Sequence, residues 1–373
     1  MSDDKAAAPL NLQAESVALC LSQWRSLGCK NETTPNESLC IDLEALILYT
    51  CVIGRDNTIL FDNMIGWLFN HSDLVNTGRL ITMVNAGFLE ITVPDVIKTL
   101  EETTLRKKLE KILNNKNKST NPLNDKETDQ LVKTEIMAES LAAGNDNQLK
   151  NKDTTFSPHI QELNEKNTLI QSSAATFQLM MRYLVGVSTR AEILAFFAAE
   201  RGEITASELA RALNYHQSVL FSVLSEMVAG GFVIKRTGDK VFYMPKTPFI
   251  RALCSQVGGT PKWLPWLTVY RFLIDVQNLL NEIDAKKYAD AIEIDEASRE
   301  FLLSREGELK QHRLNRFFPK KVIYPHGGYL DAIKKAVSKL LVELTCQPKK
   351  STVKKSKTAA PNKTKQETAQ PAK

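Results

Sequence analysis

Residues 189 to 246 hold three segments of helical period followed by two β-type runs, and specific residues mark each boundary. In Thr189 to Ala199, Ile193, Leu194, Phe197 and Ala198 form one stripe of a short amphipathic helix, closed by Arg201-Gly202. Thr205-Ala-Ser-Glu208 is a capping box: the Thr hydroxyl can accept from the third amide while the Glu carboxylate returns to the cap's own N–H. The helix that starts there carries Leu209, Ala210 and Leu213. It breaks at Asn214-Tyr215-His216, where Asn tolerates the left-handed conformation of a sharp turn. A third helix, from about Gln217 to Ala229, places Val219, Leu220, Val223, Leu224 and Met227 on one face and ends at Gly230-Gly231. Phe232 to Arg236 and Val241 to Met244 are β-branched and aromatic runs. They are joined by Thr237-Gly-Asp-Lys240, whose Gly-Asp is expected to supply positive φ.

Three helices with a three-residue turn before the last, then a hairpin, is the order of a winged helix-turn-helix. The stretch ITASELARALNYHQSVLFSVLSEMVAGGFVIKRTGDKVFYMP resembles the winged-helix repressors of the ArsR and MarR type, over about 58 of 373 residues. The resemblance implies duplex DNA as partner. It places His216, Gln217, Ser218, Phe221, Ser222 and Ser225 towards base edges, and Lys235, Arg236 and Lys240 of the wing against phosphate.

The third helix departs from that pattern. Base discrimination rests on bidentate donors, yet residues 217 to 229 contain no Lys or Arg. Phe221, where an exposed polar residue is expected, looks like a packing residue. A second reading is therefore a degenerate winged helix whose helix and hairpin form a protein-protein surface.

Charge is unevenly divided. Eight of the 48 basic residues and one of the 43 acidic residues lie in 347–373, which leaves 40 against 42 in the rest. The tail is rich in Lys, Thr, Ala and Pro without apolar periodicity, so burial cannot offset its ordering entropy. Lys349, Lys350, Lys354, Lys355 and Lys357 read as a nonspecific phosphate arm, or else as a solubilising end.

The fold class expected is mainly α and multi-domain: a winged helix with flanking helical regions. The divisions read as a flexible N-terminus (1–14), an N-terminal helical domain (15–113), a polar and largely disordered linker (114–158), the winged-helix domain (159–250), a C-terminal helical region (251–346) and the disordered tail (347–373). In the N-terminal domain Leu43 to Ile53, Leu60 to Phe69 and Arg79 to Val84 show helical period. Met83-Val-Asn-Ala-Gly-Phe88 echoes Met227-Val-Ala-Gly-Gly-Phe232, so this unit also reads as a worn helix-turn-helix repeat. Trp263 and Trp266 are expected to pack back on the winged helix. The aromatic helix Leu267 to Ile283 suggests an interface, and 261–344 a homodimer.

Catalytic chemistry finds no support. Cys20, Cys29, Cys40, Cys51, Cys254 and Cys346 include no C-x-x-C and read as buried thiols. Glu293, Asp295 and Glu296 look like a solvated helix start. His326-Gly-Gly328 lacks a companion G-x-S-x-G, and the histidines at 71, 159, 216, 312 and 326 are isolated. No metal or cofactor is expected. With neither a membrane-length apolar run nor an apolar leader, the expected location is the cytoplasm. The function expected is a DNA-associated, transcriptional regulator without catalysis. The alternatives are a protein-interaction adaptor and, more remotely, an unrecognised hydrolase.

Overall fold

The computed structural model describes residues 11–34, 36–54, 57–87, 89, 91–100, 105–111, 172–200, 202–257, 259–285, 288, 290–311, 314 and 328–345. The linker, the Lys-rich tail with its five named lysines, Cys346, His159, His312, His326 and most of the basic segment 310–321 lie outside the described residues.

The fold is mainly helical, with one small antiparallel sheet. In the N-terminal half short polar side chains open the helices. Asn11 caps α1 (Leu12–Ser26), Asp42 caps α2 (Leu43–Ile53), Asn57 caps α3 (Thr58–His71) and Asn76 caps α4 (Thr77–Asn85). In each the side-chain oxygen accepts from an otherwise orphan amide. The helix α5 (Val93–Thr99) begins with a full capping box between Thr92 and Asp95.

The next elements are α6 (Phe177–Val185), α7 (Thr189–Ala199), β1 (Ile204–Thr205), α8 (Ala206–Leu213), α9 (Gln217–Ala229), β2 (Val233–Thr237), β3 (Val241–Pro245) and α10 (Thr247–Ser255). The sheet order is β1-β3-β2, with Lys235 opposite Tyr243 and Arg236 opposite Phe242. The last described elements are α11 (Trp266–Asp284), α12 (Ala291–Gln311) and α13 (Tyr329–Thr345).

Two apolar cores result, and they do not follow chain order. The first joins α1–α5 to the C-terminal helices: Trp24, Leu46, Tyr49, Trp67 and Met83 share it with Tyr270, Leu273, Val276, Val337 and Leu341. Tyr49 stacks on Tyr270 with ring centroids 4.2 Å apart, and the Tyr270 hydroxyl donates to Gln23 Oε1 at 2.6 Å. The aromatic side of α11 is thus spent inside the chain, which corrects its reading as an interface. Tyr270, Phe272, Leu273, Val276 and Leu279 are all buried.

The second core holds α6–α10 and the sheet: Phe177, Ile193, Phe197, Leu209, Leu213, Leu220, Leu224, Val233 and Tyr243. The two tryptophans divide between the cores. Trp263 packs on Phe196 at 5.5 Å, as expected, but Trp266 turns to the first core, where it stacks on Tyr270 and donates to the Cys40 carbonyl at 2.6 Å.

The echo between residues 83–88 and 227–232 is real at the turn. Gly87 and Gly231 both adopt positive φ, 67° and 73°, the left-handed position that favours glycine after a helix. Downstream the likeness ends: a capped helix, α5, follows the first turn where β2 follows the second. The hairpin also differs in detail from expectation. Gly238 is absent from the positive-φ residues, and its amide instead donates to the Lys240 carbonyl at 3.2 Å.

Candidate nucleic-acid interface

The surface begins at the turn before α9. The Thr205–Glu208 capping box forms with both reciprocal bonds, setting the start of α8. Asn214, the one described non-glycine residue with positive φ (57°), ends that helix, and the Tyr215 amide donates back to the Ala210 carbonyl at 3.0 Å. His216 then starts α9 without a side-chain cap bond.

Along α9, Leu220, Leu224 and Met227 face the core, while Gln217, Ser218, Phe221, Ser222 and Ser225 are exposed together with His216. The six positions assigned to base edges therefore share one open face. Not all of their chemistry is free, because Ser225 Oγ donates to the Phe221 carbonyl at 2.9 Å. At the far end of the helix Glu226 pairs with Arg190.

Phe221 is 52 % exposed, so within this chain it is not the packing residue its type implied. Phe221→Ser is accordingly expected to change unfolding free energy by less than about 0.5 kcal/mol. Chemical denaturation measures this, and a loss of several kcal/mol would mean that the ring is buried.

The three hairpin cations do not act as one group. Successive strand residues point to opposite faces. Val233 is buried against the core whereas Ile234 is exposed, so Lys235 shares the face of Val233, and Arg236 that of Ile234. Arg236 lies 5.8 Å from the Phe242 ring centre and pairs with Glu203 at 2.8 Å. Lys240 sits in the connecting turn, where its charge helps hold the Glu208 carboxyl below its ordinary range, behind the Thr205 hydrogen bonds that are the main cause.

The opposite side of the module is closed, and α7 differs most from expectation. Instead of a stripe, Ala191 through Ala198 are all buried, Glu192 included. Glu192 is accommodated there by a charge network that sequence reading missed. Arg182 Nε donates to Glu192 Oε1 at 2.9 Å, and its Nη1 donates to Glu44 Oε1 at 2.7 Å and to the Leu74 carbonyl at 2.6 Å. Arg79 Nη1 reaches Asp42 Oδ1 at 2.7 Å and Glu44 Oε2 at 2.8 Å. Gln178 bridges, donating to Glu192 Oε2 and accepting from the Leu43 amide at 3.1 Å.

Charged groups removed from water persist only when paired and hydrogen-bonded, as these are. Burial is the largest influence on both glutamates. At Glu44 Arg182 and Arg79 overcome it and hold the carboxyl below its ordinary value; at Glu192 they do not, and the carboxyl stands above it. The signal was present in the sequence as charges inside apolar helices: Glu44 alone in LEALILYTCVI, Arg182 alone in FQLMMRYLV and Glu192, two residues after Arg190, in TRAEILAFFAA.

The five described cysteines are buried thiols outside any disulfide, and burial pushes Cys40 up to about 12, far from a nucleophile's range. Among the described residues no group of His, Cys, Asp and Glu is placed to hold a metal ion. No described helix is long and apolar enough to cross a membrane. Comparison of the chain with protein-family models, with curated proteins and with solved structures finds no match.

Proposed function

We propose that residues 189 to 246 act as a winged helix that binds duplex DNA, and that the chain is a DNA-associated regulator. One observation carries the reading: the module buries the side formed by α7, yet leaves open the face formed by His216, the exposed residues of the first turns of α9 and the hairpin. That is the face a winged helix offers to a duplex. The left-handed Asn214 supports the same assignment, since it sets the short turn between the second and third helices, while the Thr205 capping box fixes where the second helix begins.

Exposed Phe221 and the absence of Lys and Arg from α9 favour a second reading, in which the same face holds a protein partner. Salt separates the two. Fluorescence anisotropy of a random-sequence duplex, titrated with the full chain at low and at roughly fourfold higher salt, should show binding that weakens steeply as phosphate pairing releases counterions. A chain truncated after Cys346 should lose nonspecific affinity at low salt while keeping its sequence preference, because phosphate contacts position and base contacts specify. Absence of duplex binding by both chains at low salt would sink the DNA reading in favour of the protein surface.

A further inference from the structure

The charge network does more than close the second core, because its outer end grips the turn that presents α9. Arg79 Nε donates to the carbonyl of Leu213, the last residue of α8, at 2.9 Å. Its guanidinium carbon stands 5.8 Å from the centre of the Tyr215 ring. Asn76 Nδ2 donates to the Tyr215 hydroxyl at 2.8 Å. Both side chains belong to the start of α4, where Asn76 is the cap and Arg79 the third helical residue. Two side chains from one helix start therefore converge on 213–215, and His216 and Gln217 follow directly.

The gripping residues are themselves fixed from behind. The Asn76 amide donates to Glu44 Oε1 at 2.8 Å, and Arg79 holds Asp42 and Glu44 at the start of the buried helix α2. Arg79 is fully buried in this arrangement and burial alone would disfavour its charge, but the Asp42 and Glu192 carboxylates keep it charged. A rigid line of bonded groups thus runs from α2 through the start of α4 to the turn before α9.

We infer that Asn76 and Arg79 are positioning residues for the exposed face of α9: the N-terminal helical half sets the conformation of the turn at 213–216, and through it the register of the presented side chains. Duplex as the ligand of that face rests on the function proposed above, whereas the coupling between the halves does not. A left-handed residue such as Asn214 sits in a sparsely populated conformation and persists when its surroundings over-determine it. The Leu213 carbonyl on one side of it and the Tyr215 ring and hydroxyl on the other supply that surrounding. The arrangement also makes the N-terminal half a route by which a change there reaches the DNA-facing surface, as coupling needs a chain of bonded and packed groups between sites.

The test uses the full chain and two mild variants. Tyr215→Phe keeps the ring beneath Arg79 and removes only the bond from Asn76; Asn76→Ser keeps a capping oxygen for the Arg79 amide and removes the same bond from the other side, leaving the Arg79 pairs with Asp42 and Glu44 in place. Hydrogen exchange read by mass spectrometry should show faster exchange, by about 5- to 10-fold, in peptides covering 214–220, with α2 unchanged. Binding to a duplex enriched from a random pool should then weaken several-fold relative to a scrambled duplex, at an unchanged denaturation midpoint. Unaltered exchange at 214–220 in both variants overturns the inference, and so does loosening spread evenly over both halves. Local loosening with unchanged discrimination between the duplexes overturns the link to the presented surface. If the unaltered chain binds no duplex, the DNA reading fails, but local loosening at 214–220 still upholds the coupling.

Discussion

Replacing Glu44 by Gln is expected to cost about 3–5 kcal/mol of unfolding free energy at pH 7, the loss typical of removing one partner from a buried ion pair. Glu44 is fully buried and receives Arg79 Nη1 at 2.8 Å, Arg182 Nη2 at 2.6 Å and Nη1 at 2.7 Å, and the Asn76 amide at 2.8 Å. An amide in its place turns a donor toward two buried guanidiniums and removes the charge that balances them. Glu192→Gln should cost less, because burial already lifts that carboxyl above its ordinary value and so weakens its hold on the ionised form. The pH dependence follows from the direction at Glu44. Its folded value lies below the ordinary 4.5, so the ionised form favours folding; that contribution is present above about 4.5 and is lost as pH falls from there through the lowered value. The stability gap between the wild type and Glu44→Gln should stay level from pH 7 to about 5 and narrow below about 4.5. Urea unfolding across this range measures it. A gap under about 1 kcal/mol at pH 7 would mean that the network is not the closed unit described.

Much of the second half was legible because it is written in local chemistry. A capping box, an Asn at a sharp turn and glycines after helices act through neighbours in sequence, so Thr205, Glu208, Asn214 and Gly231 could be placed without the rest of the chain. What was not legible is set by partners far away in sequence. The stripe on α7 reads as amphipathic from its own residues, but α6 and the segment around Cys40–Asp42 cover the remaining sides. That segment is pinned to the second half of the chain, with the Cys40 amide donating to the Lys262 carbonyl at 2.9 Å and the Ile41 amide to the Ala175 carbonyl at 2.9 Å. Nothing local to Glu44 names Arg182 as its partner 138 residues on. Periodicity shows which face of a helix is apolar; it does not show which helix, from which end of the chain, will meet it. For that reason α11 looked like an interface, although its aromatic face had Tyr49 waiting in the first core. The split of the hairpin cations was different: a two-residue period places Lys235 and Arg236 on opposite faces, and the sequence alone allows that deduction.

That split yields the sharpest test of the proposed duplex-binding surface. Reversing Lys235 and Lys240 together to Glu is expected to weaken binding to every duplex and to lower the slope of log affinity against log salt by about two units, roughly one for each phosphate that no longer meets a lysine. Arg236→Glu is expected to leave the slope nearly unchanged. Its guanidinium is already engaged by Glu203 at 2.8 Å and rests near the Phe242 ring, on the outward face with Ile234. Lys235 lies on the face that the hairpin turns toward the helices and Lys240 lies in the connecting turn, so neither shares the outward face of Arg236. All three side chains are exposed, so the reversals should shift stability by no more than about 0.5 kcal/mol, and a change in affinity would not be a change in folding. Anisotropy titrations over a series of salt concentrations, with circular dichroism as the control, give both quantities. The opposite pattern, with Arg236→Glu flattening the slope and the lysine pair silent, would put the duplex on the outward face of the ribbon. If neither set alters affinity or slope while the unaltered chain binds, the hairpin is not part of the interface, and recognition must come from α9 and its preceding turn.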